Sequence, residues 1–164
     1  MTPARQERKS RYHSAMLAAF LGMLTLAAAG AATTELVVVN RYTGLAIDGF
    51  DPVAYFVDAA PKEGRAELEF RSGGATWRFQ NEGNRAAFAG APVVYTPRFG
   101  GYDPVALARG VATPGHPQLW LIVEQRLYLF YNAEARAAFA ADPAAAIETA
   151  ERNWPDVQRT LVHG

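Results

Sequence analysis

No cysteine occurs anywhere in the 164 residues. That absence excludes structural disulfides, thiolate metal sites, CxxC redox chemistry, CxxCH haem attachment and a lipidated cysteine anchor. The chain must be held by its core instead, and 50% of its residues are apolar. Serine and lysine are nearly as scarce. Beyond residue 32, Ser72 is the only serine, and no G-x-S-x-G surrounds it, so no nucleophile elbow is available. Lys62 is the only lysine there and no arginine run exists, so the clustered basic surface that nucleic acid demands is missing. His116 and His163 are the only histidines in that part, and neither H-x-x-x-H nor H-E-x-x-H occurs, which argues against zinc. Neither G-x-G-x-x-G nor G-x-x-x-x-G-K-[ST] is present to cradle a phosphate.

What is present begins with a cationic start, Arg5, Arg8, Lys9 and Arg11, followed by the apolar run "AMLAAFLGMLTLAAAG". That run falls short of the roughly 20 strongly apolar residues of a membrane span. The small-residue stretch "AAAGAATT" follows, with A-x-A-like cleavage sites, and the whole reads as a secretory signal peptide over residues 1–32. The alternative is an uncleaved anchor with its charged end inside. Either way the expected location is periplasmic or secreted. Cleavage near Ala32 leaves roughly 130 residues, the size of one ordinary domain, with a slightly acidic balance.

Beyond the signal, the sequence repeats itself. "DPVA" occurs in "GFDPVAYF" and in "GYDPVALARG", starting at Asp51 and at Asp103. "FQNEGNRAAFA" begins at Phe79 and "FYNAEARAAFA" at Phe130, with seven of eleven positions identical. Pro92 and Pro143 keep the offset of the Phe79/Phe130 segments, and Trp77 and Tyr128 place an aromatic two residues before each phenylalanine. Self-similarity at a fixed spacing marks duplicated supersecondary units. Residues 33–164 are therefore expected to hold repeat 1 at about 50–95, repeat 2 at about 102–147 and a helical tail at 148–164.

Each unit has the same physical logic. Asp-Pro starts a helical turn, because the Asp side chain caps free N–H groups and Pro at the first position has none to lose. A hairpin follows: "ELEFR" and "TWRFQ" around Ser72-Gly73-Gly74 in repeat 1, "LWLIV" and "LYLFY" around residues 124–126 in repeat 2. Asn81 and Asn132 then cap helices that carry Phe88 and Phe139 inward. Asp142-Pro143 opens an Ala-rich helix running towards Glu151, and "NWPDVQRTLV" a separate short helix with Trp154 as a core plug. Ahead of repeat 1, "ELVVVN" is expected to be a strand. The expected fold class is α+β: two pseudo-repeated units packed as one compact domain.

"GFDPVAYF", then "GATWRFQNEGNRAAFAGAPVVYTPRFGGY" and a terminal "NWP", resembles the YHS domain family, in particular exported bacterial proteins with one such domain behind a signal peptide. The resemblance covers roughly residues 36–157. In that family's metal-associated branch the motif reads DPVC and two further cysteines flank the strand-to-helix step. The corresponding positions here are Ala54, Gln80 and Asn84, and Asp103 follows "GGY" where many exported relatives carry cysteine. The resemblance thus implies the fold, while the thiolate chemistry of the metal-associated branch is not implied for this chain.

Candidate site residues come from two places. Asp51 and Asp103 form a possible carboxylate pair for general acid–base work or for a hard cation, though helix capping accounts for both. The loop-rich segment "YTPRFGGYDPVALARGVATPGHPQ" offers Tyr95, Tyr102, Asp103, Arg109 and His116 as the lining of a cleft. Arg85 and Arg136, shared by the two copies, read as solvated or ion-paired faces. The expected function is a non-enzymatic exported binding domain for a small ligand or an envelope protein, with no cofactor. The alternatives are an oxygen-coordinated metal module and an enzyme using Asp51 and Asp103.

Overall fold

The computed structural model describes residues 36–163, so the expected signal segment lies outside the described residues. Ten elements follow in order: α1 (Ala54–Val57), β1 (Arg65–Ser72), β2 (Ala75–Phe79), α2 (Glu82–Gly90), α3 (Pro92–Tyr95), α4 (Pro104–Leu107), β3 (His116–Val123), β4 (Arg126–Phe130), α5 (Ala133–Ala141) and α6 (Pro143–His163). The fold is α+β, with two two-stranded antiparallel sheets, β1–β2 and β3–β4, and the helices around them.

The duplication holds at atomic detail. Each hairpin carries a register shift near its open end, between Arg65 and Glu69 in one and His116 and Trp120 in the other. Each turns through two residues of positive φ, Gly73-Gly74 (61° and 81°) in β1–β2 and Glu124-Gln125 (50° and 58°) in β3–β4. This is the twist that a two-residue hairpin requires, and only the first turn has the glycines that adopt it without strain. Asp51 N–H donates to Lys62 O at 2.8 Å, and Asp103 N–H to Thr113 O at 2.9 Å. Gly64 and Gly115 occupy matching tight spots, where a Cβ would lie 2.4 Å from the Arg78 carbonyl carbon and 2.6 Å from Leu129 Cβ. The copied unit also reaches further upstream than the DPVA motif. Short 3₁₀ turns at Ile47–Gly49 and Arg98–Gly101 precede it in both copies. Ile47 sits at φ 43° and Phe99 at φ 55°, conformations that bulky side chains adopt only under constraint. Both residues are buried, so packing supplies that constraint.

Each repeat surrounds a phenylalanine. Phe88 meets Trp77 at 5.0 Å and Phe79 at 5.3 Å between ring centroids; Phe139 meets Tyr128 at 4.9 Å and Phe130 at 5.0 Å. The two hairpins then diverge in burial. In β2, Ala75, Trp77 and Phe79 are buried, while Thr76 and Arg78 between them are only partly covered. In β4 all of Leu127, Tyr128, Leu129 and Phe130 are buried. Leu127 and Leu129 face the first core, and Tyr128 and Phe130 the second. The β3–β4 hairpin is thus the wall between the two cores, which is why "LYLF" is apolar on both faces. From the first core the Tyr55 hydroxyl donates to Pro117 O of that wall at 2.8 Å.

Two expectations fail. The described part of "ELVVVN", from Leu36 on, does not form a strand: Val39 makes one isolated bridge to Ala46, while Val38 N–H donates to Gly100 O and Val38 O accepts from Ile47 N–H. The Val38 backbone is spent on the two 3₁₀ turns, so no regular ladder can build. The tail is one continuous helix, α6, running through Pro155. Ile147, Ala150, Trp154, Val157 and Leu161 recur every three or four residues and all pack on the second core. That packing keeps the helix whole across the hydrogen bond that proline lacks. Asn153 adds to the docking, donating from Nδ2 to Leu107 O and Ala108 O at the end of α4.

Phe88→Ala and Phe139→Ala are each expected to cost about 3–5 kcal/mol in denaturant unfolding, since each empties the centre of its own core. A near-neutral result at either would show that the copies are not equivalent there. A second prediction concerns alkaline pH. Burial, and after it the Asp51 carboxylate, push the Tyr55 hydroxyl well above its ordinary value. Burial raises Tyr128 as well, with Arg98 opposing. A raised folded-state value means that the neutral hydroxyl is the form that stabilises the fold. Stability should hold up to about pH 10, where an unfolded-chain tyrosine begins to ionise, and fall as the pH rises further. Thermal melts above and below that point check this, and Tyr55→Phe should flatten the decline in part, leaving the share of Tyr128.

Candidate functional site

Asp51 and Asp103 are 0% and 2% exposed, and a buried carboxylate must be given hydrogen-bond donors. Asp51 Oδ1 accepts from Val53 N–H at 2.8 Å and Ala54 N–H at 3.4 Å, and Oδ2 accepts from Gln80 N–H at 2.9 Å. Asp103 repeats the pattern. Its Oδ1 accepts from Val105 N–H at 2.8 Å and Ala106 N–H at 3.4 Å, and its Oδ2 from Tyr131 N–H at 3.0 Å. Each carboxylate therefore ties the start of a helical turn to the strand end that follows the hairpin. The capping reading of both Asp-Pro pairs is what the geometry realises, and the paired-carboxylate arrangement gains no support from it.

One bond separates the two sites. In repeat 1 a fourth donor, Asn84 Nδ2, lies 2.6 Å from Asp51 Oδ2. The matching position in repeat 2 is Ala135. The backbones correspond: Asn84 N–H donates to the Asn81 cap and Ala135 N–H to the Asn132 cap, both at 2.8 Å. Only the amide is missing, and a cleft of about 440 Å³ opens there, lined among others by Asp103, Arg109, Thr113, Tyr131, Glu134 and Ala135.

The structure brings two of the expected site residues to this cleft, Asp103 and Arg109. The other three lie elsewhere. Tyr95 is half-buried against Phe56 in the first core, with ring centroids 5.5 Å apart. Tyr102 is buried beside Trp154 at 5.9 Å in the second. His116 is exposed at the start of β3, where its Nδ1 accepts from Gln118 N–H at 3.1 Å. Tyr131, Glu134 and Ala135 were not among the candidates read from sequence. The signal for them was nevertheless in the repeat: Glu134 stands where the first copy has Gly83, Ala135 where it has Asn84, and Arg109 where it has Val57.

The cleft combines polar and apolar lining. Asp103 and Glu134 supply carboxylates, and Arg109 supplies a guanidinium. Glu134 and Arg109 make no ion pair among the described residues, whereas the Arg85–Glu82 pair on α2 closes at 2.7 Å. Ala106, Ala135 and Ala138 supply apolar lining, together with the exposed Tyr131. Among the described residues no group of three or more His, Asp and Glu side chains is placed to hold a metal ion. A nearby smaller cleft of about 370 Å³ lies between the end of α4 and α6 and shares Arg109.

Asp51→Ala and Asp103→Ala should each destabilise the protein by about 2 kcal/mol or more, because backbone donors are orphaned in a buried place. Asp51→Ala is expected to be the worse of the two, since it also strands the Asn84 amide, and chemical unfolding of both variants measures the difference. No family model matches this chain, and neither a curated protein nor a solved structure matches it.

Proposed function

We propose that this chain is an exported, non-enzymatic domain of the YHS type that binds a small ligand in the cleft beside Asp103. The single observation that carries the binding reading is the contrast between the copies. The same scaffold is sealed at Asp51 by the Asn84 amide and left open at Asp103, where Ala135 stands. Clefts of a few hundred Å³ with a few convergent polar groups are the usual form of a small-molecule site. The assignment to the YHS type rests on the sequence resemblance. Ala54, Gln80 and Asn84, the positions that match the cysteines of the metal-associated branch, all donate to the single carboxylate of Asp51. In this reading a carboxylate with its hydrogen bonds takes the central place, and the domain needs no metal to close repeat 1.

Export rests on the residues before 33. Among the described residues no helix is long and apolar enough to cross a membrane.

A native mass spectrum of the protein, purified from the envelope of the cell that makes it and compared with its denatured mass, tests the binding reading. An excess mass in the native spectrum alone is the expected result, and Ala135→Asn, which restores the amide of repeat 1, should remove it. A bare mass for the unaltered protein, or an adduct that survives Ala135→Asn, would overturn the assignment of a ligand to this cleft.

A further inference from the structure

Resting on that binding reading, we propose that the cleft of repeat 2 takes a small zwitterion of the α-amino acid kind, with its ammonium group against Asp103 and Glu134 and its carboxylate against Arg109. A carboxylate has roughly four lone-pair positions to offer. Asp51 has four donors in contact, whereas Asp103 has three. The unfilled position on Asp103 is the one that the Asn84 amide takes on its counterpart, and in repeat 2 that place is the cleft. A ligand N–H group can occupy it as the amide does, and a charged ammonium makes the shorter, stronger bond with a carboxylate.

The polar groups around that position select among nitrogen ligands. Relative to the first copy, the cleft gains an acid at Glu134 in place of Gly83 and a base at Arg109 in place of Val57. Neither side chain is consumed by an ion pair among the described residues, and both are exposed. A simple anion would meet two carboxylates, and a simple cation would meet the guanidinium. A molecule that carries both charges satisfies both sides, and the planar guanidinium is suited to a bidentate hold on a carboxylate. The alanines 106, 135 and 138 and Tyr131 add apolar lining that can receive the ligand's own side chain. At about 440 Å³ the cleft has ample room for an amino acid, so its charges rather than its size select the ligand.

Ala135, Glu134 and Arg109, three of the departures from repeat 1, meet at this cleft, while the framework around it is kept. Asn132 still caps α5 at 2.8 Å, and Asp103 still receives its three backbone donors. Drift of an idle copy would also be expected to loosen the cap and the carboxylate bonds.

The test is calorimetric titration of the purified protein with free L-leucine, L-phenylalanine, L-glutamate and L-lysine. For whichever binds, the methyl ester and the N-acetyl derivative of the same amino acid are titrated in parallel. The expected result is binding of at least one free amino acid, with each blocked form weaker by about tenfold or more. Arg109→Gln, an exposed change that the fold tolerates, should erase the difference between acid and ester and keep the difference between amine and amide. Ala135→Asn should abolish binding. Equal binding of the blocked forms, or no binding by any of the four, would overturn the zwitterion. If the native mass spectrum shows an Ala135→Asn-sensitive adduct that is not an amino acid, the zwitterion fails while the binding reading stands. If there is neither adduct nor titration signal, both fail.

Discussion

A carboxylate removed from water has to be given donors for both of its oxygens, and this domain builds each of its halves around that requirement. Asp51 and Asp103 collect their donors from two regions that lie far apart in the chain: the helical turn immediately after the aspartate and the strand end about thirty residues later. Satisfying the carboxylate therefore fixes where the hairpin must return. Once it has returned, Asn81 or Asn132 starts the next helix, and Phe88 or Phe139 is delivered onto the aromatic residues of that strand. In a chain without disulfides these two polar centres set the geometry that the hydrophobic cores then fill.

Duplication and division of labour go together here. The first copy is closed: its carboxylate has a side-chain donor as well as backbone ones, and its α2 charges are paired. The second is open at the same point and carries the charges that face the opening. The second also does a structural job that the first does not, since β4 contributes to both cores. A strand buried on both faces, as β4 is, cannot shift register without moving two cores at once. It offers a firm wall for the strand end at Tyr131, where the Asp103 bond and the cleft begin.

Helix α6 completes the second half. Repeat 1 has α3, a single helical turn, after its main helix, whereas repeat 2 runs into a 21-residue helix that lays Trp154 and Val157 against Phe99, Tyr102 and Leu107. The Arg98–Glu151 ion pair and the Asn153 bonds to the end of α4 hold it at two further points. Arg109 follows directly after that anchored turn, so its guanidinium is presented at the cleft from a backbone pinned by both Asp103 and α6.

Much of the fold was legible in the sequence because it rests on local chemistry. Asp-Pro, the Asn caps and the aromatic-x-Phe strand ends each specify a short structure within a few residues, and their recurrence at a constant spacing revealed the duplication. The α+β class and the inward phenylalanines followed from that alone. What only the tertiary structure decided were the outcomes that depend on partners distant in the chain. "ELVVVN" has strand composition, yet the backbone bonds of Val38 within it go to the 3₁₀ turns. Pro155 reads as a break, yet a continuous apolar stripe over α6 outweighs one lost hydrogen bond. Tyr102 and Tyr95 looked like cleft residues because they lie in a loop-rich segment, but Tyr102 is buried in the second core and Tyr95 packs half-buried against the first. Asp103 and Arg109 were found from sequence because charged residues in a loop segment stand out. Ala135 was not, because its role is the absence of an amide, and an absence acquires meaning only when the packed copy beside it shows what the amide does.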